Sequence, residues 1–193
     1  EKLFHFDDSA FVAFLENKGF YIANQATSNY PKTFLSLGSS FNMEYLNYLS
    51  IYKNSSDQTI VTPFIQNGNA LRFLRKLGYR VYQMGSWWEI THYNDFADGN
   101  ILMEKKGLRR LGVFSSLLIE STMLNPILSK FFPKIIIGDS ENDKRDRIIY
   151  QFNQFPNLVR LPGPKFVFIH ILSPHEPYVF DKNCGFVNQG QIQ

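Results

Sequence analysis

The sequence predicts an α/β fold: a three-layer α/β/α arrangement with a mostly parallel sheet and helices on both faces. Two observations carry this. Helix-like and extended stretches alternate along the chain, each stopped by glycine or proline, and two extended stretches, Phe166–His170 and Ile135–Ile137, are continuous apolar runs. Strands buried on both faces read that way, and the crossovers that cover both faces are helices. At 193 residues the chain fits a single domain, 1–193, with enough apolar content for a core.

In chain order, Asp7 or Asp8 caps a helix that runs to Asn17, with Phe11, Phe14 and Leu15 on one face and Gly19 as its stop. Phe20–Asn24 follows as a strand. Thr33–Met43 is a second helical stretch. Asn69–Leu77, stopped by Gly78 and followed by the strand Tyr79–Gln83, repeats the first arrangement as Phe-Leu-x-x-x-Gly-aromatic. Leu111–Ser129 reads as a buried or half-buried helix, because Glu120, Asn125, Pro126 and several serines argue against a membrane span. After Ile135–Ile137 comes a helix of mixed charge over Glu141–Phe155. Pro162-Gly163-Pro164 then turns into the strand ending at His170, and Asn183–Gln193 reads as a polar, mobile tail.

Composition narrows the function classes. Phenylalanine (19) and tyrosine (10) are abundant, which favours an aromatic core, with an exposed patch for a glycan or lipid as the alternative. The formal charge is +3, and Lys105-Lys106 and Arg109-Arg110 are too short to track a phosphate backbone, so no nucleic-acid partner is expected. Cys184 is the only cysteine, so neither an intrachain disulfide nor a thiolate metal cluster is available. Glu1–Asp8 lacks the long apolar core of a signal peptide.

The most informative segment is Phe166-Val-Phe-Ile-His170-Ile-Leu-Ser-Pro-His175-Glu-Pro-Tyr178. Open α/β sheets bind ligands at the carboxyl ends of their strands. Imidazoles on a proline-bounded loop there suit a metal or an anionic substrate; the plainer reading is a turn whose histidines satisfy backbone groups. The second segment runs from Asn29 to Met43. Thr33 lies near the amino end of its helix, where free amides and the helix dipole favour an anion, and a metal or base is needed to activate its hydroxyl. The plainer reading there is an ordinary helix cap. Lys32 is placed either to neutralise an anion or to point into solvent, and Ser36 is a backup nucleophile or, like Ser39, a backbone-bonded residue. Trp87, Trp88 and His92 follow a strand end and are candidates for contacting substrate, a sugar or a lipid headgroup. Asp95 and Asp98 read as turn residues, Asp139 as a helix cap.

Together the two segments resemble the alkaline phosphatase superfamily, in its sulfatase-like and phosphoethanolamine-transferase-like branch. Thr33-Phe-Leu-Ser-Leu-Gly-Ser-Ser-Phe-Asn42 is similar to the nucleophile helix of the transferases, and His170-Ile-Leu-Ser-Pro-His175-Glu-Pro-Tyr178 to their histidine loop. The resemblance implies a metal-dependent hydrolase or phospho-alcohol transferase in which Thr33 is both nucleophile and metal ligand. It implies that His175 is a metal ligand and that the metal is zinc, manganese or calcium; Lys32, His170, His92 and Trp87 are the candidate substrate contacts beside it. The substrate it implies is an anionic phosphate or sulfate ester, lipid- or glycan-linked, and the location extracytoplasmic, with membrane anchoring through upstream segments. Family members also carry an acidic ligand before the equivalent of Glu1 and an Asp-His pair after that of Gln193. The expectation is therefore a piece of a longer protein, holding part of a metal site and inactive by itself. The formylglycine motif of true sulfatases, Cys/Ser-x-Pro-x-Arg, is absent, and Glu176 and Gly38 depart from the transferase pattern, which leaves the substrate class open. The rival reading is a non-catalytic anion- or glycan-binding module on the same scaffold. A serine α/β hydrolase would need Gly-x-Ser-x-Gly, and the chain has none.

Overall fold

The computed structural model describes residues 7–52, 57–103, 121–123, 130, 141–176, 178–181 and 183–187. Their elements are α1 (Ser9–Asn17), α2 (Thr33–Asn42), two 3-10 turns (Asn47–Tyr52 and Thr59–Val61), α3 (Thr62–Asn67), α4 (Asn69–Lys76), β1 (Arg80–Met84), α5 (Glu89–His92), β2 (Gly99–Asn100), α6 (Glu141–Arg160) and β3 (Lys165–Ile169). The strands form an all-parallel sheet of order β2-β1-β3, so the chain is of the α/β class.

β1 is the central strand, and Val81, Tyr82, Gln83 and Met84 are all buried, as a strand covered on both faces requires. Its register with β3 runs from Arg80 opposite Lys165 to Met84 opposite Ile169, and His170 N–H extends the ladder to the Met84 carbonyl at 3.1 Å. Phe166, Phe168 and His170 alternate onto one face of β3. α2 packs there, with the Phe41 ring edge-on to Phe166 (6.1 Å) and Phe168 (5.0 Å). Leu46, Val61, Ile65 and Ile90 form the adjoining core cluster, which Phe34, Phe41 and Trp88 flank.

Several expectations hold. Asp7 accepts the Ser9 amide at the start of α1, and hydrogen bonding to that backbone group holds its carboxyl below the usual range. Gly19 and Gly78, both at positive φ (86° and 84°), terminate α1 and α4 where side chains are rarely tolerated. α4 and β1 match their expected bounds to within a residue.

Others are corrected. Phe20–Asn24 is not a strand: no partner strand pairs with it among the described residues, and Phe20 (61 %) and Tyr21 (91 %) are exposed. α1 buries no residue, so its Phe11 and Phe14 face solvent, not a core. α6 does not stop at Phe155. It passes through Pro156 to Arg160, because losing one backbone bond at the proline is offset by Leu158, buried in the last turn. Residues 183–187 are not a loose tail. Phe180 and Phe186 form an antiparallel bridge, and Asp181 Oδ1 accepts the amides of Asn183 and Gly185. Of the 111–129 helix only 121–123 is described, a turn with Met123 exposed; Ile135–Ile137 and Asp139 lie outside the described residues. No described helix is long and apolar enough to cross a membrane.

Candidate functional site

The carboxyl ends of β1 and β3 lie side by side, so the loops that follow them share one end of the sheet. Gln151 of α6 ties those ends together. Its side-chain amide, 1 % exposed, donates to the Gly85 carbonyl (3.2 Å) and the His170 carbonyl (3.0 Å). Gly85 is required by close approach: a Cβ there would lie 2.1 Å from the His92 carbonyl oxygen and 2.2 Å from that of Thr91. The chain can therefore fold α5 tightly back on the end of β1, and Gln83 fixes it by donating to the Thr91 carbonyl at 2.7 Å.

This packing assembles a buried hydroxyl relay. Ser86 and Thr91 are both 0 % exposed. Ser86 Oγ accepts the Trp88 amide (3.1 Å) and lies 2.9 Å from Thr91 Oγ1, which lies 2.7 Å from His170 Nδ1. Among the described residues the Ser86 hydroxyl proton has only Thr91 Oγ1 to go to. Thr91 then gives its own proton to His170 Nδ1, the alternative Trp88 carbonyl being 3.5 Å away. With the hydroxyls donating in that order, the neutral His170 ring carries its proton on Nε2. Burial pushes its pKa down, favouring the neutral ring, and Phe168 and Trp88 pack against that ring.

The other two histidines are of opposite type. His92 Nδ1 donates to the Ser86 carbonyl and His175 Nδ1 to the Glu176 carbonyl, each at 2.7 Å. Both carry a lone pair on Nε2, the form that accepts a proton or ligates a metal. Trp87 and His175 line one cleft, with Tyr178, Phe180 and Asp181.

Thr33 stands apart from these groups. It is exposed at the first position of α2, Lys32 occupies the cap position, and its hydroxyl makes no hydrogen bond among the described residues. The capping role weighed from sequence is therefore not its role. Neighbouring polar groups are committed: Ser36 Oγ donates to Asn29 Oδ1 (2.5 Å), Tyr30 Oη accepts the Leu46 amide (2.7 Å), Ser39 Oγ donates to the Glu44 carbonyl (2.7 Å), and Asn42 meets Asn69. Lys32 Nζ sits over the Phe34 ring at 5.8 Å. No direct contact joins Thr33 or Lys32 to the histidines among the described residues. The link is the core cluster, against which Phe34 and Trp88 both pack.

For a divalent metal, His175 supplies one suitably oriented donor. The described residues contain no group of three histidine, cysteine or acidic side chains able to hold an ion, so they provide a donor and not a complete set. Ser86, Thr91 and Gln151 were not singled out by sequence reasoning. The one available signal was Gln151, a polar residue on the same face of α6 as Ile148 and Leu158. No protein-family model, curated protein or solved structure matches this chain.

Proposed function

We propose that the chain is the nucleophile and histidine-loop portion of a sulfatase-like hydrolase or phospho-alcohol transferase of the alkaline phosphatase superfamily, with that family's three-layer fold. The observation that carries this reading is the uncommitted Thr33 hydroxyl on the first turn of α2, beside side chains that are spent on holding the loop and helix in place. The parallel strand ends that present His170 and His175 add support.

In this reading Thr33 Oγ1 attacks the phosphorus or sulfur of an anionic ester. The new bond forms on threonine as the ester bond breaks, the alcohol leaves with a proton, and water or an acceptor alcohol then releases the group from Thr33. Thr33 Oγ1 would take one divalent ion (zinc, manganese or calcium) and His175 Nε2 a second, each with ligands outside the described residues, and the ions would supply a lowered hydroxyl pKa and charge neutralisation. His170, with its proton on Nε2, donates to an ester oxygen; His92 accepts from a substrate hydroxyl; Lys32 offsets charge; Trp87 contacts the alcohol portion. The natural ester is lipid- or glycan-linked and met outside the cytoplasm by a membrane-anchored protein.

The test is hydrolysis of bis(p-nitrophenyl) phosphate by the full-length protein with added zinc or manganese, comparing wild type with Thr33→Ala. The expected result is metal-dependent turnover that falls roughly a thousandfold or more in the variant. Equal rates remove Thr33 from the mechanism. No turnover in either protein, with no metal retained by elemental analysis, favours the non-catalytic binding module.

A further inference from the structure

We propose that the cleft between the loops after β1 and β3 is a subsite for one pyranose ring. It measures about 180 Å³, below the roughly 300–1,000 Å³ typical of drug-sized sites, so it takes a single ring. Its aromatic walls are Trp87, Tyr178 and Phe180, and Ser173, His175 and Asp181 bring hydrogen-bonding groups to the same space. A sugar ring needs this combination: an apolar C–H face to lie on an aromatic side chain, and hydroxyls that both donate and accept.

The polar groups are held in place for that task. Asp181 spends Oδ1 on the amides of Asn183 and Gly185, both at 2.7 Å, which orients the carboxylate and leaves Oδ2 as an acceptor. His175 spends Nδ1 on the Glu176 carbonyl, which fixes its ring at the cleft wall and leaves the Nε2 lone pair for the ion of the proposed function. Ser173 and the Tyr178 phenol can donate.

Lys144 competes with the other ligand that aromatic walls and a carboxylate would suit, an alkylammonium headgroup. Lys144 Nζ lies 5.6 Å from the Trp87 ring centre, and Arg145 lies 4.1 Å from that of Phe186, which packs 5.9 Å from Phe180. Arg145 is paired with Asp146 at 3.2 Å, whereas Lys144 already holds the cation position over Trp87, so an alkylammonium would have to displace it and a neutral ring is left the remaining aromatic surface of the cleft. Ring recognition stands on the cleft alone. That the ring is the alcohol portion of the ester rests on the proposed function, through the shared His175.

The experiment is binding by the full-length protein to a panel of neutral, sulfated and phosphorylated oligosaccharides, with phosphocholine and inorganic phosphate as comparison probes. Titration calorimetry then follows on wild type, Trp87→Ala and Trp87→Phe. The expected result is saccharide binding that weakens roughly tenfold in Trp87→Ala and is largely kept in Trp87→Phe, which retains a stacking face and controls for folding. Absence of saccharide binding, equal affinity in Trp87→Ala, or binding of phosphocholine alone overturns the proposal. Turnover is not part of this readout. A protein that binds saccharides and hydrolyses nothing refutes the proposed activity and leaves the subsite standing.

Discussion

Replacing Thr91 with valine isolates the relay that sets His170. Valine nearly matches threonine in shape, so the change removes the hydroxyl from a site that is 0 % exposed and opens little space. It strands two groups: Ser86 Oγ–H, which loses its acceptor at 2.9 Å, and His170 Nδ1, which loses its donor at 2.7 Å. Each unsatisfied buried group costs about 1–3 kcal/mol, with His170 at the lower end because its ring is only partly buried. The expected destabilisation is about 2–4 kcal/mol, a fall in melting temperature on the order of 10 °C for a chain of this size. Chemical denaturation reads the loss as a lower midpoint at unchanged slope. Nitrogen-15 shifts of the His170 ring read the tautomer: proton on Nε2 in wild type, with that preference relaxed in Thr91→Val. Thr91→Ser keeps the hydroxyl and should keep the tautomer, losing only the packing of one methyl, about 1 kcal/mol. A Thr91→Val loss below about 0.5 kcal/mol, or a wild-type proton on Nδ1, would refute the order Ser86 to Thr91 to His170 in which the hydroxyls donate.

Two further outcomes follow from the same end of the sheet. Burial lowers the pKa of His170 from its ordinary 6.5, so between the folded and unfolded values the unfolded chain binds more protons and stability rises with pH. The contribution is complete above pH 6.5 and is lost as pH falls from there through the folded value. Denaturation midpoints from pH 7.5 to 5 should therefore fall more steeply in wild type than in His170→Asn, and parallel curves would exclude His170 as the source. Gly85→Ala places a methyl against two carbonyl oxygens that cannot yield without moving α5. A loss of about 3 kcal/mol or more is expected by thermal unfolding, and near-wild-type stability would show that the close approach of α5 is dispensable.

The αβ unit at residues 69–84 was legible because its signals are local: a helical apolar pattern, a glycine that must take positive φ, and a short stretch after it holding Val81 and Tyr82, residue types that favour strands. The unit at residues 9–24 carries the same local signals, and its second half still fails to pair. A strand is made by its neighbours, and no ladder partner reaches Phe20–Asn24 among the described residues. The histidine loop was placed correctly at a strand end, since β3 ends at Ile169 and His170 follows. What surrounds it was not legible, because Ser86, Thr91 and Gln151 reach His170 from 84, 79 and 19 residues away in sequence or through one another. α6 read as a helix of mixed charge, with nothing to show that Asp143, Arg147 and Gln151 are the polar residues buried on it. Burial lowers the Arg147 pKa, and the carboxylate of Asp143 opposes that shift.

The three described histidines divide the chemistry at this end of the sheet by tautomer, and the division is fixed in two ways. His92 and His175 each give Nδ1–H to a backbone carbonyl, an acceptor no side-chain substitution removes, so their Nε2 lone pairs are a property of the chain's path. His170 is oriented by two side-chain hydroxyls, so its tautomer can be changed without moving the backbone. A ring with its proton on Nε2, neutral through burial, donates a hydrogen bond and does not serve as base or metal ligand through that atom. Proton acceptance or metal ligation therefore falls to His92 and His175, and of these only His175 lines the cleft with Trp87. His175 is thus the imidazole that would hold an ion through Nε2 while its ring forms part of the cleft wall. Substituting it should impair metal retention and saccharide binding together, whereas Thr91→Val should alter neither the His175 tautomer nor the cleft.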